Sequence, residues 1–186
     1  MDLREKKTKR NIKNAFIELR AHKALERITI KELAEKAEIS KATFYLHYHD
    51  IYDLSDQLQK EVIQDILNSL DQPELLMTDS TAFTAALFHA FYAQQTLIDI
   101  LFSGSQSAVL PLNIEKELKK YIFERTPSSR QNPQLNILLT YQILGGYHVY
   151  QQYHKQYDLD FILNVISEGT KVPFQKFFQE EDPAGV

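Results

Sequence analysis

A chain of 186 residues, 44% of them hydrophobic, is long enough to bury the core of one globular domain or of two small ones. It contains no cysteine, which excludes disulfides and thiolate metal sites, and it has no run long enough to span a membrane. Its charged N-terminus lacks the apolar segment of a signal peptide, so we expect a cytoplasmic protein without membrane contact.

The net charge of −4 is divided unevenly along the chain. Residues 1–49 hold twelve Lys and Arg against seven Asp and Glu, whereas residues 50–186 hold nine against eighteen. Such a division directs a basic end toward a polyanion. Six basic side chains near the start could reach phosphates or the minor groove, or could be no more than a solvated helix start: Arg4, Lys6, Lys7, Lys9, Arg10 and Lys13.

The first predicted helix runs from Lys6 to His22, with a buried stripe of Ile12, Ala15, Phe16 and Leu19. A second, short helix follows Thr29. Thr29 and Glu32 have the spacing of a capping box, in which each side chain accepts from the backbone N–H of the other residue. One apolar face then contains Ile30, Leu33, Ala34 and Ala37, whose two alanines allow close approach of another helix.

A third helix is predicted from Ser40, which is a good N-cap. Phe44 and Tyr48 lie four residues apart and face the core, which leaves Lys41, Ala42, Thr43, Tyr45 and His47 facing outward. Two short helices joined by a tight turn are typical of a helix-turn-helix, whose second helix enters the DNA major groove. Generic pairing of short helices is the alternative.

The outward side chains suit DNA chemically. Lys41 can meet a phosphate or a guanine edge, Thr43 a base, and Ala42 a thymine methyl. The hydroxyl of Tyr45 and the ring N–H of His47 suit phosphate oxygens, and Lys31 of the preceding helix could anchor the flanking backbone.

The string ITIKELAEKAEISKATFYLHYHDIYDL resembles the N-terminal domain of the tetracycline-repressor (TetR) family, with about a dozen positions in register. The resemblance covers residues 6–66, about a third of the chain. It implies binding to double-stranded DNA at a palindromic operator. The predicted DNA-contacting residues are Thr29, Lys31, Ser40, Lys41, Ala42, Thr43, Tyr45 and His47.

Two positions depart from the family pattern. Glu38 stands in the turn where the family commonly has Gly, so we expect a left-handed backbone there at some energetic cost. Ile51 stands where the family often has a phosphate-binding Lys, a role that His49 or Tyr52 could take.

The remaining chain also predicts helices. Asp50 is an expected N-cap for a long helix with Leu54, Leu58, Val62, Ile66 and Leu70 on one face. Later helices are expected from Asp79 or Ser80 through Leu97, up to Arg125, over Gln134–Tyr153 and over Asp160–Phe178. No segment alternates with period two. The prediction is an all-α fold of eight to nine helices, with a helix-turn-helix DNA-binding domain over 1–49 and a helical regulatory and dimerisation domain over 50–186.

Aromatic and histidine side chains are frequent in the second predicted domain. In the TetR family this region usually binds a small effector, and such a site needs an aromatic cavity with a few polar groups. The alternative is ordinary aromatic packing. The candidate pocket residues are His89, Tyr92, Tyr121, Tyr141, Tyr147 and His148. No spacing indicates a metal site, and we expect no cofactor.

A homodimer is expected because one short recognition helix reads only a few base pairs. Its interface is placed on the last two helices, which carry excess apolar surface, and Gly145-Gly146 either permits close helix contact or kinks the helix. An apolar cluster predicts that the C-terminus docks rather than frays: Val172, Phe174, Phe177 and Phe178.

Three functions are compatible with these features. The first is a dimeric repressor that a small effector releases from its operator. The second keeps DNA binding but replaces the effector with a protein co-regulator, which makes the chain a co-activator. An enzyme is the third and weakest, because the chain has no G-x-S-x-G, no phosphate-binding loop and no H-E-x-x-H.

Overall fold

The computed structural model describes residues 3–70, 72 and 75–178, without the side chains of 76, 77 and 170–178. The apolar cluster predicted at the C-terminus lies outside the described side chains; its members are Val172, Phe174, Phe177 and Phe178. Every regular element in the described part is helical, which confirms the predicted all-α fold. The α-helices are α1 Leu3–Arg20, α2 Ile30–Lys36, α3 Lys41–Tyr45, α4 Ile51–Asn68, α5 Leu75–Thr78, α6 Ser80–Ala93, α7 Gln95–Leu101, α8 Leu110–Arg125, α9 Pro133–Tyr153 and α10 Leu159–Phe178. No described helix has the length and apolar character needed to cross a membrane.

The helices form two compact units. Unit one comprises Met1–Val62 and Gln95–Leu110, and unit two comprises Ile63–Gln94 and Pro111–Val186. The chain therefore passes from unit one to unit two inside α4, and α7 belongs to unit one. The predicted boundary after residue 49 separates a DNA-binding domain from a regulatory domain by function, and it stays a prediction.

The core of unit one joins α1, α2 and α3. Ile12 and Phe16 of α1, Leu33 of α2 and Phe44 of α3 have no exposed surface. The predicted stripe on α1 is confirmed, since Ala15 and Leu19 are buried as well, and so are Ala34 and Ala37 of α2. Small alanine side chains at this crossing let α2 approach its neighbours closely.

A buried arginine connects the end of α1 to the segment after α7. Arg20 Nη1 donates to the carbonyl oxygen of Lys23 at 2.7 Å, and Nη2 donates to Ser103 Oγ at 2.7 Å. Burial lowers the pKa of Arg20, and the nearby Glu26 carboxylate opposes that shift. These bonds fix α7 in unit one together with its buried Ile98 and Leu101.

The turn after α2 is a Schellman motif. The N–H of Ile39 donates to Ala34 O at 2.9 Å, and the N–H of Glu38 donates to Glu35 O at 3.2 Å. The motif requires a left-handed residue after the helix, and Glu38 has a φ of 56°. The expected left-handed conformation at Glu38 is therefore confirmed.

We expect Glu38→Gly to raise the free energy of unfolding of unit one by about 0.5–1 kcal/mol. A side chain costs about 1–2 kcal/mol in the left-handed region, and the greater freedom of glycine in the unfolded chain offsets part of that gain. Urea unfolding followed by circular dichroism measures the difference. Glu35→Gly is the matched control, because the same change inside right-handed α2 should cost about 1 kcal/mol. If both variants changed the free energy of unfolding in the same direction, the left-handed conformation assigned to Glu38 would be contradicted.

One predicted helix is wrong. The segment from Ser80 to Leu97 was expected to be continuous, but it breaks at Gln94, which caps α6 with φ −104° and ψ 11°. The polar residues Gln94, Gln95 and Thr96 interrupt the apolar pattern there. The break also coincides with the return of the chain from unit two to unit one.

In unit two, α10 packs against α6 and α9. Helix α9 continues through both glycines. A Cβ atom at Gly146 would lie 3.4 Å from Phe88 Cζ of α6 and 3.6 Å from Ile166 Cγ2 of α10, whereas one at Gly145 would meet no atom of the described residues within 4 Å. Of the two alternatives left by the sequence, Gly146 thus supports close helix contact.

Candidate nucleic-acid interface

Helix α3 is held at both ends by side-chain and packing interactions. Ser40 Oγ accepts from the N–H of Thr43 at 3.0 Å, which confirms Ser40 as the N-cap. Phe44 and Tyr48 are buried, with ring centroids 5.6 Å apart, and the N–H of Tyr48 donates to Phe44 O at 3.1 Å. These contacts fix the rotation of α3 about its axis, and so decide which side chains face outward.

The residues predicted to face outward lie on α3 and on the turn that follows it. Lys41 and Ala42 are exposed, Tyr45 is 57% exposed, and Thr43 and His47 are partly exposed. The hydroxyl of Thr43 lies 2.9 Å from Ser40 Oγ, so these two hydroxyls already share a hydrogen bond. The rings of Tyr45 and Phe44 pack in a T-shaped arrangement, with centroids 5.6 Å apart.

Two predicted contacts lie on or before α2. Thr29 caps this helix, because its Oγ1 accepts from the N–H of Glu32 at 3.2 Å. The other half of the expected capping box is not formed, since the Glu32 carboxylate accepts instead from Lys23 Nζ. The Lys31 side chain is 71% exposed and its Nζ lies 4.0 Å from Glu35, so it can turn toward a phosphate at little cost.

The predicted basic cluster lies on α1 itself. Lys6, Lys7 and Arg10 are exposed. Lys9 Nζ lies 3.2 Å from the Glu5 carboxylate, and Lys13 Nζ lies 2.8 Å from that of Glu61. The cluster is therefore a helical surface with part of its charge paired.

Helix α4 begins at Ile51, the position where a phosphate-binding Lys would match the family pattern. Ile51 is buried, so its side chain serves the core. Asp50 Oδ1 accepts from the N–H of Asp53 at 2.8 Å, which confirms Asp50 as the N-cap. Hydrogen bonds from Gln57 and from the His49 N–H lower the pKa of Asp53. His49 and Tyr52 are exposed, as a substitute phosphate contact requires.

One exposed residue was absent from the predicted set. Leu46, the C-cap of α3, is 80% exposed, and it lies four residues after exposed Ala42. At helical spacing, Leu46 lies on the side opposite Phe44 and Tyr48, and this position can be read from the sequence. The sequence interpretation considered mainly polar groups and passed over it.

Among the candidate effector residues, the rings of Tyr147 and His148 lie in contact, with centroids 5.6 Å apart. Tyr121 is buried, 6.3 Å from the Phe83 ring and with the Arg125 guanidinium 3.4 Å above its own ring. His89 Nε2 lies 3.7 Å from the Asp160 carboxylate. The others are Tyr147, which is partly exposed, and Tyr92, Tyr141 and His148, which are exposed. Within the described part of the chain, no three His, Asp or Glu residues are grouped to hold a metal ion.

No protein-family model matches the chain. Among curated proteins, it is similar to the uncharacterised HTH-type transcriptional regulator YxbF of Bacillus subtilis (strain 168). The two are 31% identical over 86 residues, which are 46% of this chain and 18% of the length of that protein. The similarity is therefore partial on both sides.

Proposed function

We propose that this chain is a TetR-like transcriptional regulator that binds double-stranded DNA as a homodimer and acts as a repressor. The observation that carries the proposal is the rotation of α3, which buries Phe44 and Tyr48 and presents Lys41, Tyr45 and His47 outward. A short helix supported in this way can lie in the major groove. The partial similarity to a protein named as an HTH-type transcriptional regulator supports the coarser part of the proposal, a DNA-binding transcriptional regulator.

Electrostatics support DNA as the partner. Residues 1–49 carry five more basic than acidic side chains, whereas residues 50–186 carry nine more acidic ones. The exposed Lys6, Lys7 and Arg10 add positive charge on α1. A basic end on an acidic chain orients the molecule toward a polyanion and makes binding strongly dependent on salt.

An apolar surface on α9 and α10 supports the homodimer. On α9, Ile137 and Tyr141 are 71% and 74% exposed at a spacing of four residues, with Gly145 one turn further. Tyr157 and Phe161 follow, with ring centroids 5.2 Å apart. We call this set the apolar stripe; its members are Ile137, Tyr141, Val149, Tyr153, Tyr157, Phe161 and Val165, all exposed. A second copy covering the stripe would remove this area from water.

Unpaired polar groups in unit two support control by a small effector. Thr81 Oγ1, Asn113 Nδ2 and Gln142 Oε1 are buried and have no hydrogen-bond partner among the described residues. Each such group costs about 1–3 kcal/mol, which a polar ligand would recover. The test is a library of metabolites screened by thermal shift, in which a compound that raises the unfolding temperature should also weaken operator binding.

The full chain should enrich a two-fold symmetric sequence from a random duplex library. On that operator, Tyr45→Phe combined with His47→Ala should weaken binding about tenfold for each phosphate hydrogen bond lost, and by the same factor on non-specific DNA. Phosphate contacts carry no sequence information, which is why the two losses should match. Gel-shift titrations at several salt concentrations measure both.

Tyr92→Phe combined with His89→Ala is the matched control, because it makes the same chemical changes on α6. Its operator affinity should equal that of the wild type. A change of sequence preference in the Tyr45–His47 variant would contradict the phosphate assignment. A wild-type protein that enriched no sequence, even at low salt, would overturn the proposed function.

A further inference from the structure

Leu46, the C-cap of α3, is 80% exposed. Single exposed apolar residues are common on protein surfaces and need no explanation by themselves. Leu46 differs because it caps α3, where the other outward side chains except Ala42 are polar. Its backbone stays helical, with φ −71° and ψ −18°, so its direction follows from the helix geometry.

The helix geometry places Leu46 on the side opposite the core. At about 100° per residue, Leu46 lies about 180° around the axis from the midpoint between Phe44 and Tyr48. Ala42 precedes it by four residues and shares its face. Lys41 and Tyr45 lie on one flank of this apolar face, and Thr43 and His47 lie on the other.

A helix seated in a groove directs its outermost face at the base edges and its flanks at the two phosphate walls. In the major groove the thymine methyl group is the apolar feature that a leucine side chain can contact. Polar flanks and an apolar outer face match that arrangement. We therefore propose that Leu46, together with Ala42, contacts thymine methyl groups and determines part of the operator sequence. This inference rests on the proposed function.

Replacement of thymine by deoxyuridine tests it, because this change removes the methyl group and nothing else. The operator enriched by the wild-type protein is resynthesised with one thymine replaced at a time, and the dissociation constants are measured for wild type and Leu46→Ala. At one or two positions in each half-site the wild type should lose about fourfold in affinity, the value expected for one buried methyl group. At the same positions Leu46→Ala should lose less than about twofold.

Lys41→Ala is the comparison variant. It should bind more weakly overall while keeping the wild-type sensitivity to deoxyuridine. Because Leu46 is exposed, Leu46→Ala should fold normally, which circular dichroism and thermal unfolding check.

Several results would overturn the inference. Wild-type binding that is indifferent to deoxyuridine at every thymine would do so, and so would a Leu46→Ala variant with undiminished sensitivity. Both outcomes leave the proposed function standing. Failure of the wild type to enrich any DNA sequence overturns the proposed function and this inference together.

Discussion

Phe44→Ala is expected to lower the free energy of unfolding of unit one by about 3–5 kcal/mol. Phe44 is completely buried, and its ring lies 5.6 Å from those of both Tyr45 and Tyr48. Its removal leaves a cavity where α3 meets the core. A small domain is stable by only about 5–15 kcal/mol, so a large part of that stability should disappear.

The adjacent residue provides the control. Tyr45 is 57% exposed, so Tyr45→Ala should change the free energy of unfolding by less than about 1 kcal/mol while weakening DNA binding. Urea unfolding and gel-shift titration of the two variants give the comparison. Phe44→Ala should lose DNA binding and stability together, and Tyr45→Ala should lose binding alone. Similar stability losses in both would mean that α3 is rotated differently from the structure.

The features that the sequence predicts well are local ones. Thr29, Ser40 and Asp50 were identified as N-caps because a side-chain oxygen needs only a backbone N–H two or three residues later. Glu38 was predicted to be left-handed because the family that the sequence resembles commonly has Gly at this position of the turn. The all-α fold followed from helical periodicity over long segments.

Features that depend on tertiary packing were harder to predict. Gln94, Gln95 and Thr96 interrupt the apolar pattern at the break, but three polar residues do not reveal that α6 and α7 belong to different compact units. The sequence does not distinguish Gly145 from Gly146, yet only at Gly146 would an added Cβ atom lie within 4 Å of Phe88 and Ile166. Which glycine is needed is decided by Phe88 and Ile166, which precede and follow it far along the chain.

The candidate sites show the same division. The frequency of aromatic residues in the second predicted domain selected both Tyr121 and Tyr141, although the first is buried and the second is 74% exposed. Composition cannot distinguish a tyrosine that packs in the core from one that is exposed at a possible interface, because tyrosine suits both environments. Leu46 shows the opposite error, since a focus on polar groups hid an apolar residue that helix geometry places outermost.

Tyr141→Asp is expected to convert the proposed dimer to a monomer and to weaken operator binding by about 10²–10⁴-fold. A carboxylate in the middle of the apolar stripe would be buried without a partner, which an interface tolerates poorly. A dimer that contacts two linked half-sites binds about 10²–10⁴-fold more tightly than a protein that contacts one, and a monomer loses this gain in affinity. Sedimentation analysis reports the oligomeric state, and gel-shift titration reports the affinity.

Two comparisons make the result specific to the interface. Tyr92→Asp places the same change at a tyrosine of α6 that is 55% exposed and lies outside the apolar stripe, and it should leave both dimer and affinity intact. On a duplex with a single half-site, Tyr141→Asp should bind as tightly as wild type, because α3 is untouched. A dimer that survives both Tyr141→Asp and Ile137→Asp would place the interface elsewhere. Equal losses on single and paired half-sites would instead show that the substitution damages the DNA-binding unit itself.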